Sequence, residues 1–457
     1  MMNNFLQAIK KITALLGDLG LMYLALFLTL VVRYHQLPTA ETWQNHWTIF
    51  SFLFALWLVI FYAFSLFKQQ LTRQKLDLIK SYIPAILIAL ICGVGYFYLI
   101  GSQNNITPKT SLLILIVIFS VLFFAFSSLL SKIFQSETLY RKLLFVGYNP
   151  LIKELLPDTG QKRFEFIYKG LISIEDKRDD WPNDIRVYSL NQLEAVIRQE
   201  KIDLIIISPD SNTEITSALF KILHLKVSFM SLTNFYEWVY KKIPLNIIDR
   251  GWFLNNFSEG DKNIFNLTKR ASDILLGIVC LIITLPFIPI ISAIIALTSK
   301  GEIFFKQQRS GYGGKLFYLY KFRTMFQNAE KNGAEWAKVN DPRVTVVGKF
   351  LRKTRLDEIP QLFNILKGEM SFVGPRPERP KFVTDLTQKI PFYQERLLVK
   401  PGLTGWAQIL GPAYGGSVEE SLEKLQYDLF YIKHRSIFLD WAIIIKTLSI
   451  VTKMIGR

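Results

Sequence analysis

The densest run of chemically capable residues lies between positions 341 and 361. It reads Asp341-Pro-Arg-Val-Thr345, then Gly348-Lys-Phe-Leu-Arg-Lys-Thr-Arg-Leu-Asp-Glu-Ile-Pro-Gln361. Ile359, Leu362, Phe363 and Leu366 recur at helical spacing. Pro360 is tolerated in the first turn of a helix but not in its interior, so the helix is predicted to begin around 356–359. Asp357 and Glu358 then stand at a helix N-terminus, where unpaired N–H groups and the macrodipole favour anions. Adjacent helical residues diverge by about 100°, so the two carboxylates could divide the work. One could attack phosphorus while the other holds a divalent cation. A plain capping pair is the simpler reading. Arg343, Lys349, Arg352, Lys353 and Arg355 crowd the same stretch, a charge density suited to a pyrophosphate and a lipid phosphate together, or merely a solvated basic face.

Two further clusters share this character. Phe305-Lys-Gln-Gln-Arg-Ser-Gly-Tyr-Gly-Gly314 is a glycine-containing loop with Lys306 and Arg309, and Lys321-Phe-Arg-Thr-Met325 follows with Lys321 and Arg323. Glycines let a backbone approach phosphate closely, and arginine can clamp it bidentately; a basic hairpin turn is the competing reading. Gly374-Pro-Arg-Pro377 is a rigid turn presenting Arg376, whereas Lys400-Pro-Gly-Leu-Thr-Gly-Trp406 reads as a structural turn. Cys92 and Cys280 sit in apolar runs, and His35, His46, His224 and His434 are scattered. No disulfide framework, zinc site or thiol nucleophile is expected from them. Carboxylates, lysines and arginines must carry the chemistry.

The elements that position these residues are partly membranous. Half of the 457 residues are hydrophobic, 36 of them Phe, yet the formal charge is +17. The apolar runs 15–32, 47–67, 81–100 and 110–131 each approach the ~20 residues a membrane-spanning helix needs, with aromatic residues near their ends. Lys10 and Lys11 precede the first run, Lys68, Arg73, Lys75 and Lys80 separate the second from the third, and Lys132, Arg141 and Lys142 follow the fourth. The positive-inside rule puts both ends of this unit in the cytoplasm. Such a basic balance, beside membrane spans, points to anionic lipid or phosphorylated substrates rather than nucleic acid.

From residue 141 the pattern becomes α/β, with strands predicted at 142–147 and 203–208 and a helix at 193–200 capped by Asn191. Gly147-Tyr-Asn-Pro150 supplies one glycine where a dinucleotide fingerprint needs three, so no dinucleotide site is expected. A fifth apolar run, 274–299, is interrupted by Pro286 and Pro289. It reads either as a kinked fifth span or as a hairpin that enters and leaves one leaflet. Residues 436–455 form either an interfacial or an ordinary packed amphipathic helix.

With these motifs in hand, the chain resembles the bacterial sugar transferases, the polyprenyl-phosphate phosphoglycosyl transferases. The resemblance rests on Lys306-Gln-Gln-Arg309, Lys321-Phe-Arg-Thr-Met325, Asp341-Pro-Arg-Val-Thr345 and Arg355-Leu-Asp-Glu-Ile-Pro-Gln361. It continues through Ser371-Phe-Val-Gly-Pro-Arg-Pro377, Lys400-Pro-Gly-Leu-Thr-Gly-Trp406 and Tyr427-Asp428, in the family's order from about Lys269 onward. It implies a membrane protein of mixed α and α/β class: a four-helix transmembrane bundle at 1–135, a Rossmann-like α/β domain at 140–255, and a mostly helical catalytic domain at 263–457 with a re-entrant hairpin at 270–299. It also implies transfer of a hexose-1-phosphate from a nucleotide-sugar, by analogy a UDP-sugar, to polyprenyl phosphate, an early membrane step of surface glycan synthesis. Asp357 matches the nucleophile of a phosphosugar-aspartyl intermediate and Glu358 the Mg2+ ligand, with Asp357 beside it. Arg352 would hold the lipid phosphate, and Arg376, Lys321 and Arg323 would steady nucleotide or phosphate. A regulatory or oligomerising role, with a homodimer, is expected for the middle domain. The competing readings are a conventional glycosyltransferase releasing UDP and a non-catalytic scaffold of polysaccharide assembly.

Overall fold

Long apolar runs rich in Leu, Ile and Phe, the first interrupted only by Asp18, fold as long helices at the N-terminus: Met2–Tyr34, Ala40–Ala63, Lys75–Ile100 and Pro108–Phe134. The computed structural model describes residues 2–64, 66–70, 75–100, 108–134, 141–159, 166–173, 185–209, 213–257, 263–327, 329, 341–412 and 417–452. These fall into two compact units: Met1–Leu143 with Pro150–Gly170 and Ala195–Asp203, and Leu144–Asn149 with Leu171–Glu194 and Leu204–Arg457.

In the first unit, Ile12–Tyr34, Ala40–Ala63 and Thr110–Ile133 are long and apolar enough to cross a membrane, and Ser81–Phe97 is a shorter apolar stretch. Their inner faces share a core around Phe50, Phe54, Trp57, Phe61, Phe119 and Phe123. Their outer faces expose Phe52, Ile91, Val117 and Val121. Helices apolar on both faces are at home in hydrocarbon rather than water, and the chain is a membrane protein. The second helix begins at Ala40 rather than at 47, because the Thr39 side chain caps it by accepting from the Thr42 N–H. Residues from Leu66 turn off as a separate short helix, Leu66–Gln69. Arg73, one of the charges behind the predicted orientation, lies outside the described residues.

A five-stranded sheet follows, in the order β3-β2-β1-β4-β5, from β1 (Arg141–Val146), β2 (Phe166–Ser173), β3 (Val187–Ser189), β4 (Leu204–Ile207) and β5 (Ser228–Ser231). β2 runs parallel to β3, and β4 to β5. The central strands β1 and β4 carry the continuous apolar runs that a sheet covered on both faces requires. The helix Leu193–Glu200 is not capped by Asn191. Ser189 and Gln192 form a capping box one turn earlier and open it with a 3-10 turn. From the helix Leu232–Tyr240, the buried Glu237 accepts from Lys433 at 2.8 Å and pairs with His434 at 3.0 Å, both on the helix Val418–His434. Trp406 Nε1 donates to the Lys241 carbonyl.

The C-terminal region is built around the helices Asn263–Thr284 and Phe287–Thr298, bent by 59° where Pro286 interrupts them. An antiparallel hairpin, β6 (Phe304–Ser310) and β7 (Leu316–Phe322), follows. It turns through Gly313 and Gly314, both at positive φ. A short parallel pair, β8 (Ser371–Val373) and β9 (Gly402–Thr404), sits in the core. There the backbones approach so closely that a Cβ on Gly402 would lie 2.1 Å from the Gly374 nitrogen. The last helix, Ile437–Thr452, packs on the C-terminal core along one side. Leu439, Ile443 and Ile444 pack on the core, while Phe438 and Leu448 are exposed.

Candidate active site

The Asp341–Gln361 run folds as two short helices joined at a sharp corner. Asp341 is buried and accepts from Arg343 Nε at 2.8 Å and Nη2 at 2.6 Å, a bidentate clasp that fixes the entry. Thr345 caps the helix Val346–Thr354 by accepting from the Gly348 N–H at 2.9 Å. A Cβ on Gly348 would sit 2.0 Å from the Thr324 carbonyl, so glycine is what lets this helix lie against the strand extension. Arg355 then adopts φ 60°, the left-handed conformation that ends one helix and starts the turn Leu356–Glu358. That reversal turns the two carboxylates inward, and both are buried. A 3-10 turn, Leu356–Glu358, stands where the helix was predicted to begin, and the α-helix Gln361–Lys367 itself starts only after Pro360, which is its N-cap.

The two carboxylates have opposite surroundings. Glu358 Oε1 accepts from Lys321 Nζ at 2.9 Å and Arg376 Nη2 at 3.2 Å, with Arg355 Nη1 at 3.7 Å. Burial alone would raise its pKa, but Lys321, Arg376 and Arg355 overcome this and hold it well below the ordinary glutamate value. Asp357 Oδ1, by contrast, is buried without a hydrogen-bond partner. Burial pushes the Asp357 carboxyl up, against the pull of Lys321, Arg355 and Arg352. Neighbouring carboxyls driven apart in this way are equipped for separate roles. Lys321 feels burial most, which lowers its pKa, and Arg376 is raised chiefly by Glu358.

Strand register decides which basic residues reach this pair. Lys321 on β7 faces the turn that bears Glu358. Lys306 pairs with Tyr320 across the hairpin. It therefore projects from the opposite face to Lys321, exposed and away from the carboxylates. Arg309 lies on the Lys321 face, but its Nη1 donates to the Pro377 carbonyl at 3.0 Å and approaches Glu378 at 3.8 Å, bracing the turn that carries Arg376. Arg323 donates through Nη2 to the Ser299 carbonyl at 2.7 Å and its hydroxyl at 2.8 Å, holding the exit of the bent helix pair. Arg352 Nε donates to Thr324 Oγ1 at 2.9 Å, and Asp357 and Asp341 contribute to its field. The structure thus gathers Asp357, Glu358, Lys321, Arg376, Arg355 and Arg352, and gives Arg309 and Arg323 bracing contacts.

Several partners carried no local signal in the sequence. Arg270 Nη1 and Nη2 donate to the carbonyls of Ile365 and Leu366, capping the helix that follows the carboxylates. Asp273 Oδ1 accepts from Ser371 Oγ and the Phe372 N–H, each at 3.0 Å. The buried Arg396–Asp428 pair, at 2.8 Å, joins residues 32 apart in sequence. Arg270 adjoins Lys269, and Tyr427-Asp428 is among the motifs that carry the resemblance, but neither pattern names the partner its charge meets.

The segment that carries this constellation is similar in sequence to known proteins. Residues 264–454 match the sequence model of the family described as bacterial sugar transferase. The chain is 36% identical over 203 residues to the exopolysaccharide production protein ExoY of Sinorhizobium fredii, covering 41% of this chain and 87% of that protein. The chain belongs to the bacterial sugar transferase family. Over 193 residues it is 42% identical to a UDP-N-acetylgalactosamine-undecaprenyl-phosphate N-acetylgalactosaminephosphotransferase of Aeromonas hydrophila, covering 42% of this chain and 45% of the relative. Over 189 residues it is 40% identical to a UDP-glucose:undecaprenyl-phosphate glucose-1-phosphate transferase of Xanthomonas campestris pv. campestris, covering 40% and 39%. The match therefore spans less than half the length of these last two relatives.

Proposed function

We propose that this protein transfers a hexose-1-phosphate from a UDP-sugar to polyprenyl phosphate, releasing UMP, through a covalent intermediate on Asp357. The observation that carries this is the unpartnered, buried Asp357 Oδ1 beside a Glu358 already neutralised by cations. Burial makes Asp357 more basic than an ordinary aspartate, hence a better nucleophile. Its carboxylate oxygen bonds to the phosphorus that bears the sugar, the bond from that phosphorus to the bridging oxygen breaks, and the electron pair leaves with UMP. An oxygen of polyprenyl phosphate then attacks the same phosphorus and the carboxylate departs. Lys321 and Arg376 stabilise charge on the transferred group, and Arg352 is aligned by Thr324 to hold the lipid phosphate. A conventional glycosyltransferase would release UDP and a scaffold no nucleotide, so identifying the released nucleotide tests this reading directly.

Mg2+ fits this site in a restricted way. The carboxylates of Asp357 and Glu358 are the available acidic oxygens, and among the described residues no cluster of three or more His, Cys, Asp or Glu could hold a metal. Mg2+ commonly binds through one or two carboxylates and completes its shell with substrate phosphates and water. When bound, it would neutralise charge on the diphosphate. The expected result is that Mn2+, used as a paramagnetic substitute, binds measurably by EPR only when UDP-sugar is present. Tight binding to the protein alone would contradict this arrangement.

We also read the bent helix pair as re-entrant, with the catalytic region on the cytoplasmic face of a bacterial inner membrane. Its entry is tied to the core by Arg270 and Asp273, and its exit by Arg323 on Ser299. From Asp273 to Thr284, and from Phe287 to Thr298, each arm has about twelve residues and rises ~18 Å, short of the ~30 Å hydrocarbon core. Both arms expose apolar side chains, among them Leu275, Ile282, Phe287 and Leu297. Cysteines placed at Asn263 and Lys300, with Cys92 and Cys280 replaced, are expected to label with an impermeant maleimide from the same side. Labelling from opposite sides would make the pair a full span.

A further inference from the structure

Four successive carbonyls of the turn that carries Arg376 are each held. Pro375 O accepts from the Gly402 N–H at 2.9 Å, Arg376 O from Arg396 Nη2 at 3.2 Å, Pro377 O from Arg309 Nη1 at 3.0 Å, and Glu378 O from the Ser310 N–H at 3.0 Å. The contact at residue 376 itself comes from a side chain that lies outside the carboxylate cluster. Arg396 is buried, and its fork is oriented on two further sides. Nη2 donates to Asp428 Oδ2 at 2.8 Å, and Nη1 donates to the Tyr393 hydroxyl at 2.7 Å. Asp428 is itself buried on the helix Val418–His434. Taking both charges out of water is costly, and an apolar pair would fill the space about as stably. What an apolar pair could not do is present a planar donor to the Arg376 carbonyl.

We propose that Arg396 and Asp428 are positioning residues for the transfer reaction. They fix the backbone at residue 376, so that the Arg376 guanidinium stands beside Glu358 where the donor diphosphate must lie. Neither touches the reacting atoms. The chain of contacts runs from Asp428 to Arg396, from Arg396 to the Arg376 carbonyl, and from the Arg376 side chain to Glu358 Oε1 at 3.2 Å. This inference rests on the proposed function, since it takes Arg376 to meet the donor phosphates. Misplacement of a binding group by about 1 Å is enough to cost on the order of 100-fold in rate.

The test is a double-mutant cycle in the full-length protein, with Arg376→Ala, Asp428→Asn and their combination assayed for UMP release at varied UDP-sugar and varied polyprenyl phosphate. Asp428→Asn is expected to lower kcat/KM for the donor by about 10- to 100-fold, with the KM for polyprenyl phosphate little changed. The double variant is expected to be no worse than Arg376→Ala alone, because both act through one guanidinium. Effects that multiply would overturn the proposal, as would an Asp428→Asn protein that loses only its folded fraction. If Asp428→Asn does not fold, Arg396→Lys serves instead: it keeps a cation for Asp428 but lacks the fork that reaches residue 376. The same selective loss is expected, and an unchanged donor kcat/KM in folded Arg396→Lys would refute the idea. Failure of the underlying reading has a different signature, since the unmutated protein would then release UDP or no nucleotide.

Discussion

Asp357→Asn is expected to abolish turnover while leaving the fold intact or firmer. The amide keeps the shape of the carboxylate but cannot form the bond to phosphorus, so UMP release should fall by at least about 10,000-fold, as for other residues that form the covalent bond themselves. The stability expectation follows from the same geometry. Asp357 Oδ1 is buried without a partner, and burial raises the carboxyl's pKa. An ionised group in that position destabilises the folded state, and it does so increasingly as the pH rises through its folded pKa. Removing the charge relieves that cost, so the Asn variant should melt at the same temperature or a few degrees higher, a trade of stability for reactivity common at active sites. Activity assays with a thermal melt check both halves; an Asn variant that is inactive because it is unfolded would not count as support.

Lys321→Met is the second large effect, and it acts through Glu358. Lys321 Nζ is the nearest of the three cations on Glu358 Oε1. Breaking a buried ion pair costs about 3–5 kcal/mol. Lys321 keeps some solvent contact and two other cations remain, so a loss of about 2 kcal/mol at neutral pH is expected. The pH dependence has a definite sign. The folded pKa of Glu358 lies below its ordinary value of 4.5, so the pairing stabilises the fold above that value and is lost as the pH falls toward the folded one. The gap in stability between the unmutated protein and Lys321→Met should therefore narrow in acid. Activity should drop by about 100- to 1,000-fold, the effect typical of removing one group that stabilises transition-state charge. Urea unfolding at neutral and acidic pH, together with UMP release, would check this. A gap that widens in acid would contradict the account of Glu358.

Much of this site was legible in the chain, for reasons that also explain the misreadings. Pro360 limits where a helix can begin, so a break in the chain near Asp357 and Glu358 follows from steric rules acting over a few residues, whereas the left-handed Arg355 that turns the pair inward has no such marker. The membrane helices were visible because lipid demands long uninterrupted apolar runs, although the second was displaced by a cap at Thr39 that a hydropathy pattern does not weigh. Lys306 groups with Lys321 in the sequence because the basic run at 321–325 follows the glycine loop closely. Their opposite faces depend on hairpin register, which is set by the turn at Gly313 and Gly314, and a one-residue slip would bring both to the same face. For Arg309 and Arg323 the sequence leaves phosphate binding and a basic hairpin turn both open, because an arginine fork serves backbone carbonyls equally well, and in the structure both donate to carbonyls of neighbouring loops. Arg396 and Asp428 meet only through the packing of helix Val418–His434, and no local pattern encodes such a meeting.

The most direct test of the covalent reading is a single-turnover experiment on the purified full-length protein with UDP-sugar and Mg2+, before any polyprenyl phosphate is added. The predicted result is a burst of UMP approaching one equivalent per protein. It should be accompanied by a gain in intact mass equal to one phosphosugar, absent from Asp357→Asn and discharged when polyprenyl phosphate is supplied. Release of nucleotide only after the lipid is added, or of UDP at any stage, would contradict an Asp357-linked intermediate.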